Sequence, residues 1–216
     1  MKKEIKKTLI ITSIITALPI LIGVILWNQL PDRMATHFDS AGDPNGWSSK
    51  WFSVFGLPLF LVFINVICTL GTESDPRRSR YPEKMMKIVY WICPVVSWLC
   101  AASIYANALG FELTNLGQFM SVFIGIVFIV LGNYLPKVKQ NYYLGIKLPW
   151  TYADEDNWNK THRMAGKVWV MGGILFVLNF FLKIQGIEIW LILALVLIPT
   201  VYSFLYSRRK GNNKID

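Results

Sequence analysis

Charge is what this chain has least of, and the scarcity is uneven. Of 216 residues only 16% are charged, while 54% are hydrophobic and 14% aromatic, a composition too apolar for an ordinary soluble domain. Cysteine and histidine are scarcer still. Cys68, Cys93 and Cys100 all fall within charge-free stretches, which leaves neither an extracellular disulfide framework nor a CxxC metal pair, and points to packing roles. His37 and His162 are the only histidines, and the chain contains no HExxH, the two-histidine helix of membrane metalloproteases. A zinc hydrolase falls away, and no metal or other cofactor is expected.

The charge-free stretches cover residues 8–31, 51–72, 88–111, 113–136 and 189–207, and a sixth, 164–182, carries only Lys167 near one end. Each can cross ~30 Å of hydrocarbon, and an apolar run of this length is too long for a barrel strand. Hydrocarbon offers no partner to a backbone polar group, so these stretches must be helices. Lys167 can reach the headgroups along its own aliphatic stem. The expected fold is all-α, a single membrane domain over 1–216 with six transmembrane helices. The first stretch, preceded by Lys2, Lys3, Lys6 and Lys7, superficially resembles a secretory signal. It is too long and lacks an Ala-x-Ala-like site, so it is expected to stay as an uncleaved anchor.

Sidedness follows from the basic residues. Nineteen of the 22 Lys and Arg lie before the first span, after the second, after the fourth and after the sixth, against Arg33, Lys50 and Lys183 elsewhere. Both termini and the basic loops are therefore expected in the cytoplasm, with His37 and His162 on opposite faces. The net charge of +9 is then what insertion and anionic membrane lipid require, and no direct nucleic-acid partner is expected. No span carries a central carboxylate or basic group, which counts against an ion-driven carrier. Asn65, Asn107, Asn133 and Asn179 are expected to bond neighbouring helices, and Gly125 with Gly132, like Gly166 with Gly173, suggests close helix packing.

Two connections are too long and too patterned to be mere turns. The outer loop, 31–50, reads PDRMATHFDSAGDPNGWSSK. In it Asp43-Pro44-Asn45-Gly46 has proline pre-set for a turn and glycine free to take positive φ, so an ordered, compact loop is expected. Trp47 and Trp51 bracket the start of the second span, where interfacial anchoring is their plainest role. The inner loop, 136–163, contains Thr151 with Asp154 three residues on, in the manner of a capping box opening a helix. That helix is expected to run through Trp158 and His162, one turn apart, into the fifth span, with Trp158 at the inner surface. Asp154, Glu155, Asp156 and His162 form the densest ionisable cluster, and a membrane enzyme would have to use it. The helix dipole explains acids in a first turn without chemistry, and no catalytic residue is assigned. Asn28-x-Leu30-Pro31 and Asn133-x-Leu135-Pro136 each open one long connection, which suggests a 3+3 inverted repeat.

Taken together, Leu30-Pro31, His37-Phe38-Asp39, Gly42 and Gly46-Trp47, followed by Gly145-Ile146-Lys147-Leu148-Pro149-Trp150-Thr151, Trp158 and Thr161-His162-Arg163, resemble the SdpI family of bacterial immunity proteins. The resemblance implies an N-terminal region of unknown function, 1–87, ahead of an SdpI-like region, 88–216. It implies a non-enzymatic receptor in the bacterial plasma membrane that protects against a secreted peptide toxin and draws an ArsR-type repressor to the membrane. On that reading His37, Phe38, Asp39, Gly42, Gly46 and Trp47 sense the peptide. Gly145, Lys147, Pro149, Trp150, Thr151, Trp158, Thr161, His162 and Arg163 report inward. Lys147 stands where the family has arginine, a point charge in place of a planar fork. The alternative is a small-molecule permease or lipid-binding protein, marked by a polar cavity around the four asparagines.

Overall fold

The computed structural model describes residues 3–39, 42–111 and 116–212. Among them six helices are long and apolar enough to cross a membrane: Lys3–Ile25, Phe52–Ser74, Glu83–Ala108, Gly117–Lys137, Glu155–Leu182 and Ile187–Lys210. The helical membrane bundle forms as the hydrocarbon argument requires. The ends expected in the cytoplasm lie outside the described residues. The chain divides into two compact units, Met1–Ser74 with Met86–Gly117, and Asp75–Met85 with Gln118–Asp216.

The first unit holds α1 (Lys3–Ala17), α2 (Pro19–Ile25), a hairpin of β1 (Arg33–Phe38) and β2 (Pro44–Ser49), a π-helical turn (Phe52–Gly56), α3 (Leu57–Ser74) and most of α4 (Glu83–Ala108). Pro19 lacks an N–H and divides the first span in two. In an unbroken helix residue 19 would donate to the Ile15 carbonyl. The Trp98 indole does so instead at 3.0 Å, while the Ser97 hydroxyl donates to the Thr16 carbonyl at 2.7 Å and the Tyr105 hydroxyl to the Pro19 carbonyl at 3.2 Å. The kink is thus sealed from α4. The buried Asn65 amide donates to the Thr12 and Ser13 hydroxyls at 3.0 and 3.2 Å, tying α3 to α1 as expected of a span amide. Leu30, Met34, Val54, Ala101, Ile104 and Tyr105 form the core beneath the hairpin.

The second unit holds a 3-10 turn (Arg78–Arg80), α5 (Leu116–Tyr134), a further 3-10 turn (Leu135–Lys137), α6 (Pro149–Ala153), α7 (Glu155–Leu182) and α8 (Ile187–Asn212). Glycines set how closely α5 and α7 approach. A Cβ at Gly125 would lie 2.6 Å from the Gly173 carbonyl oxygen, and one at Gly132 would lie 2.9 Å from that of Gly166. The two helices therefore run antiparallel with their backbones touching at both glycine pairs. Pro199 frees the Leu195 carbonyl within α8, and the Trp169 indole takes it at 3.1 Å, the same device that seals Pro19. Asn179 closes the turn after α7: its amide oxygen accepts the Ile184 N–H at 3.0 Å and its amide nitrogen donates to Glu188 at 2.7 Å.

One expectation needs correction here. The helix expected to run from Thr151 into the fifth span is two helices, because Asp154 takes an extended conformation (φ −141°, ψ 114°) and caps α7 by accepting the Asp156 N–H. Thr151 instead serves α6, its hydroxyl accepting the Leu148 N–H at 2.9 Å.

Candidate functional site

In the outer loop the sequence folds into an antiparallel hairpin, with Arg33 opposite Ser49, Ala35 opposite Trp47, His37 opposite Gly46 and Phe38 opposite Pro44. Met34, only 1% exposed, points into the core and fixes which face looks out. His37, Asn45 and Ser49 are exposed with Trp47, which is 53% exposed. The His37 Nδ1–H donates to the Asn45 amide oxygen. The turn expected at Asp43–Gly46 is corrected, since Pro44, Asn45 and Gly46 belong to β2 and the chain reverses before Asp43. The Asp39 carboxylate accepts the Asp43 N–H at 2.9 Å, and Gly42 has φ of 95°, which glycine adopts freely. Gly46 serves by its lack of a side chain, since a Cβ there would lie 2.9 Å from that of His37. At the hairpin's foot Lys50 bonds the Trp27 carbonyl and pairs with Asp32, both at 3.3 Å.

The inner segment is built the opposite way. Trp158 and His162 are wholly buried and stacked, ring centres 4.2 Å apart. The Trp158 indole donates to the Val138 carbonyl at 2.8 Å. His162 Nδ1 lies 2.8 Å from the Trp158 carbonyl and Nε2 lies 3.0 Å from the Ile146 N–H. A carbonyl only accepts and an amide only donates, so the ring is the neutral Nδ1–H tautomer. The expectation that Trp158 sits at the surface is therefore corrected: its indole is the floor of the loop. Gly145, at φ 113°, passes so close that a Cβ would lie 2.3 Å from His162 Nε2.

The remaining motif residues divide between scaffold and surface. Thr151 and Thr161 are buried, the second bonding Asn157 at 2.9 Å. The Asn157 amide donates to the Ser203 carbonyl at 3.0 Å, and the Trp150 indole donates to the Ser203 hydroxyl at 2.9 Å, which fastens α6 and α7 to α8. Lys147, Pro149 and Arg163 are exposed. Asp154 and Asp156 reach Lys210 at 2.6 and 3.6 Å, and Asp156 reaches Lys160 at 3.3 Å. The acids thus bind α8 to the start of α7, and the Lys210 ammonium holds the Asp154 carboxyl below its ordinary range.

A second knot in this unit lies outside the sequence motifs. The buried Asp75 carboxylate accepts the Tyr81 hydroxyl, the Arg77 N–H at 2.7 Å and the Tyr142 N–H at 3.0 Å. Burial pushes its pKa up, but these donors and the Arg77 guanidinium outweigh burial and leave the carboxyl below its ordinary value. The Tyr81 hydroxyl is raised, by burial first and by the neighbouring carboxylate second. Gln140 accepts from Arg77 at 3.2 Å and donates to the Tyr152 carbonyl at 2.8 Å. The sequence signal for it is an acid three residues beyond a charge-free stretch.

Six membrane-spanning helices with two ordered connections define a multi-pass protein of the plasma membrane. Residues 137–207 match the family model described as the SdpI/YfhL protein family, and residues 14–62 match a domain of unknown function, DUF1648. These two regions take in the inner motifs and the hairpin, and the SdpI-family resemblance holds. The chain is 27% identical over 212 residues to the protein named Immunity protein SdpI of Bacillus subtilis (strain 168), covering 95% of this chain and 98% of that one. No solved structure matches it.

Proposed function

We propose that this chain is a non-enzymatic immunity protein that protects its bacterium from a secreted peptide toxin and signals by drawing an ArsR-type repressor to the cytoplasmic face. The observation that carries this reading is similarity along 95% of the chain to a protein named for immunity. The hairpin suits the sensing role, since His37, Asn45 and Trp47 share an exposed, ordered face over a fixed core. The 145–163 segment suits the reporting role. Its buried Trp158 and His162 work as a lever, because Ile146 is bonded to a ring fixed on α7. Any displacement of α7 therefore carries the loop with it. Coupling requires the peptide to favour one helix arrangement over another, since equal affinity shifts nothing.

Two measurements test the reading. Deletion of the gene should sensitise the bacterium to a killing peptide, and re-expression should restore survival while moving a co-expressed repressor to the membrane. Equal survival with and without the chain would remove the immunity role. In cells, a cysteine at Asp43 should react with an impermeant thiol reagent and one at Ala153 should not; the reverse pattern would overturn the assignment of input and output faces.

A further inference from the structure

The loop between the second 3-10 turn and α6 directs its backbone donors inward and exposes Lys139, Tyr142, Tyr143 and Lys147. The Tyr142 N–H goes to Asp75 at 3.0 Å, the Tyr143 and Leu144 N–H groups go to the Asn141 amide oxygen at 3.0 and 2.7 Å, and the Ile146 N–H goes to His162 at 3.0 Å. Asn141 is itself wholly buried and donates to the Lys139 carbonyl at 2.8 Å. With these donors fixed, the loop is a rigid irregular surface. On it Tyr142 and Tyr143 stand 47% and 46% exposed, flanked by the exposed Lys139 and Lys147.

The charge around this surface is unbalanced in one direction. The nearby acids are already engaged: Asp75 by its three donors, Asp154 by Lys210, Asp156 by Lys160 and Lys210, and Glu155 by Arg80 at 3.8 Å. Among the described residues Lys139, Lys147, Arg163 and Lys167 have no carboxylate within ion-pair range, and all four are exposed. Lys139 follows the end of the Gly117–Lys137 span by two residues, so chain connectivity alone holds the loop at the membrane surface. Amphipathic rings favour the headgroup level, and lysines beside it attract acidic lipid.

We propose that this face is a binding site for anionic phospholipid headgroups, with Lys139 and Lys147 pairing the phosphodiester and the Tyr142 and Tyr143 rings lying in the headgroup layer. A rigid display suits this occupant, because little loop entropy is lost when the lipid binds. The site does not depend on the immunity reading. It would restrain the inner segment through the membrane itself.

Hydroxyl-radical footprinting of the full chain tests the proposal. The protein is reconstituted in nanodiscs of phosphatidylcholine alone or of equal parts phosphatidylcholine and phosphatidylglycerol, with Trp47 as internal reference. Labelling of Tyr142 and Tyr143 should fall roughly fivefold or more in the acidic discs. High salt and Lys139→Gln/Lys147→Gln should each restore the labelling, whereas Lys139→Arg/Lys147→Arg should keep the protection. Equal labelling in both discs would overturn the proposal, as would protection that survives loss of both lysines. Protection that arises only when a soluble bacterial extract is added to phosphatidylcholine discs would overturn it too, by assigning the face to a protein partner.

Discussion

The hairpin and the inner segment both join membrane spans, and both are rich in glycine, proline and tryptophan, yet they use those residues in opposite senses. In the hairpin the backbone ladder gives rigidity and the distinctive side chains, His37, Asn45 and Trp47, are left for display. In the inner segment the backbone is irregular, and the distinctive side chains, Asn141, Thr151, Asn157, Trp158 and His162, are consumed in supporting it. Irregular backbone must find its hydrogen-bond partners somewhere, and here they are the motif residues. A motif in a regular element is free to recognise, whereas a motif in an irregular one is first of all structural.

The sharpest way to break this contrast is Trp158→Ala. If the indole is floor, its removal should cost about 3–5 kcal/mol, read as a large fall in membrane abundance and in the melting point of detergent-solubilised protein. Normal stability would place Trp158 among the displayed residues. Next comes Asn141→Ala, which strands the Tyr143 and Leu144 N–H groups and should cost about 2 kcal/mol or more. Limited proteolysis should then cut within 139–147 where the parent chain resists.

Acid should loosen the inner segment before the hairpin. The folded Asp75 carboxyl lies below its ordinary value, about 3.9 when unfolded. Its ionised form therefore stabilises the fold at and above that pH, and the contribution is lost as pH falls through the folded value. Melting points measured from about pH 6 down to about pH 3 should drop, and Asp75→Asn should shrink the drop; an equal drop in the variant would detach Asp75 from acid stability.

The hairpin should show the reverse profile, a small stability cost with a functional one. Gly46→Val crowds His37 and should cost about 1 kcal/mol, and Trp47→Ala should stay within about 0.5 kcal/mol. Both should lower survival in the peptide-killing assay at near-normal abundance. Full protection by both variants would deny the hairpin its sensing role.

Sequence made the spans legible because hydrocarbon leaves one solution to the backbone problem. It also flagged Gly125, Gly132, Gly166 and Gly173, although only the structure pairs 125 with 173 and 132 with 166. The hairpin itself was not foreseen. The sequence points to a turn at Asp43–Gly46, whereas Pro44, Asn45 and Gly46 are strand, over a core in which Met34 meets Val54, Ala101, Ile104 and Tyr105 from distant parts of the chain. The buried role of Trp158 was hidden for a related reason. Its partner is the carbonyl of Val138, twenty residues away, and a carbonyl carries no sequence signature.

The two glycine pairs between α5 and α7 also limit how the second unit can move. They are seven residues apart on each helix, about 10 Å along the axis, so the helices share two bearing points in place of one. A single bearing would leave rotation free, but two remove it. Axial sliding would drive a neighbouring side chain into the opposite backbone, where even a lone Cβ finds only 2.5 to 2.9 Å. In kinematic terms α5 and α7 form one rigid link, and α8 is pinned to that link at both ends, by Asn179 on Glu188 and by Asp154 on Lys210.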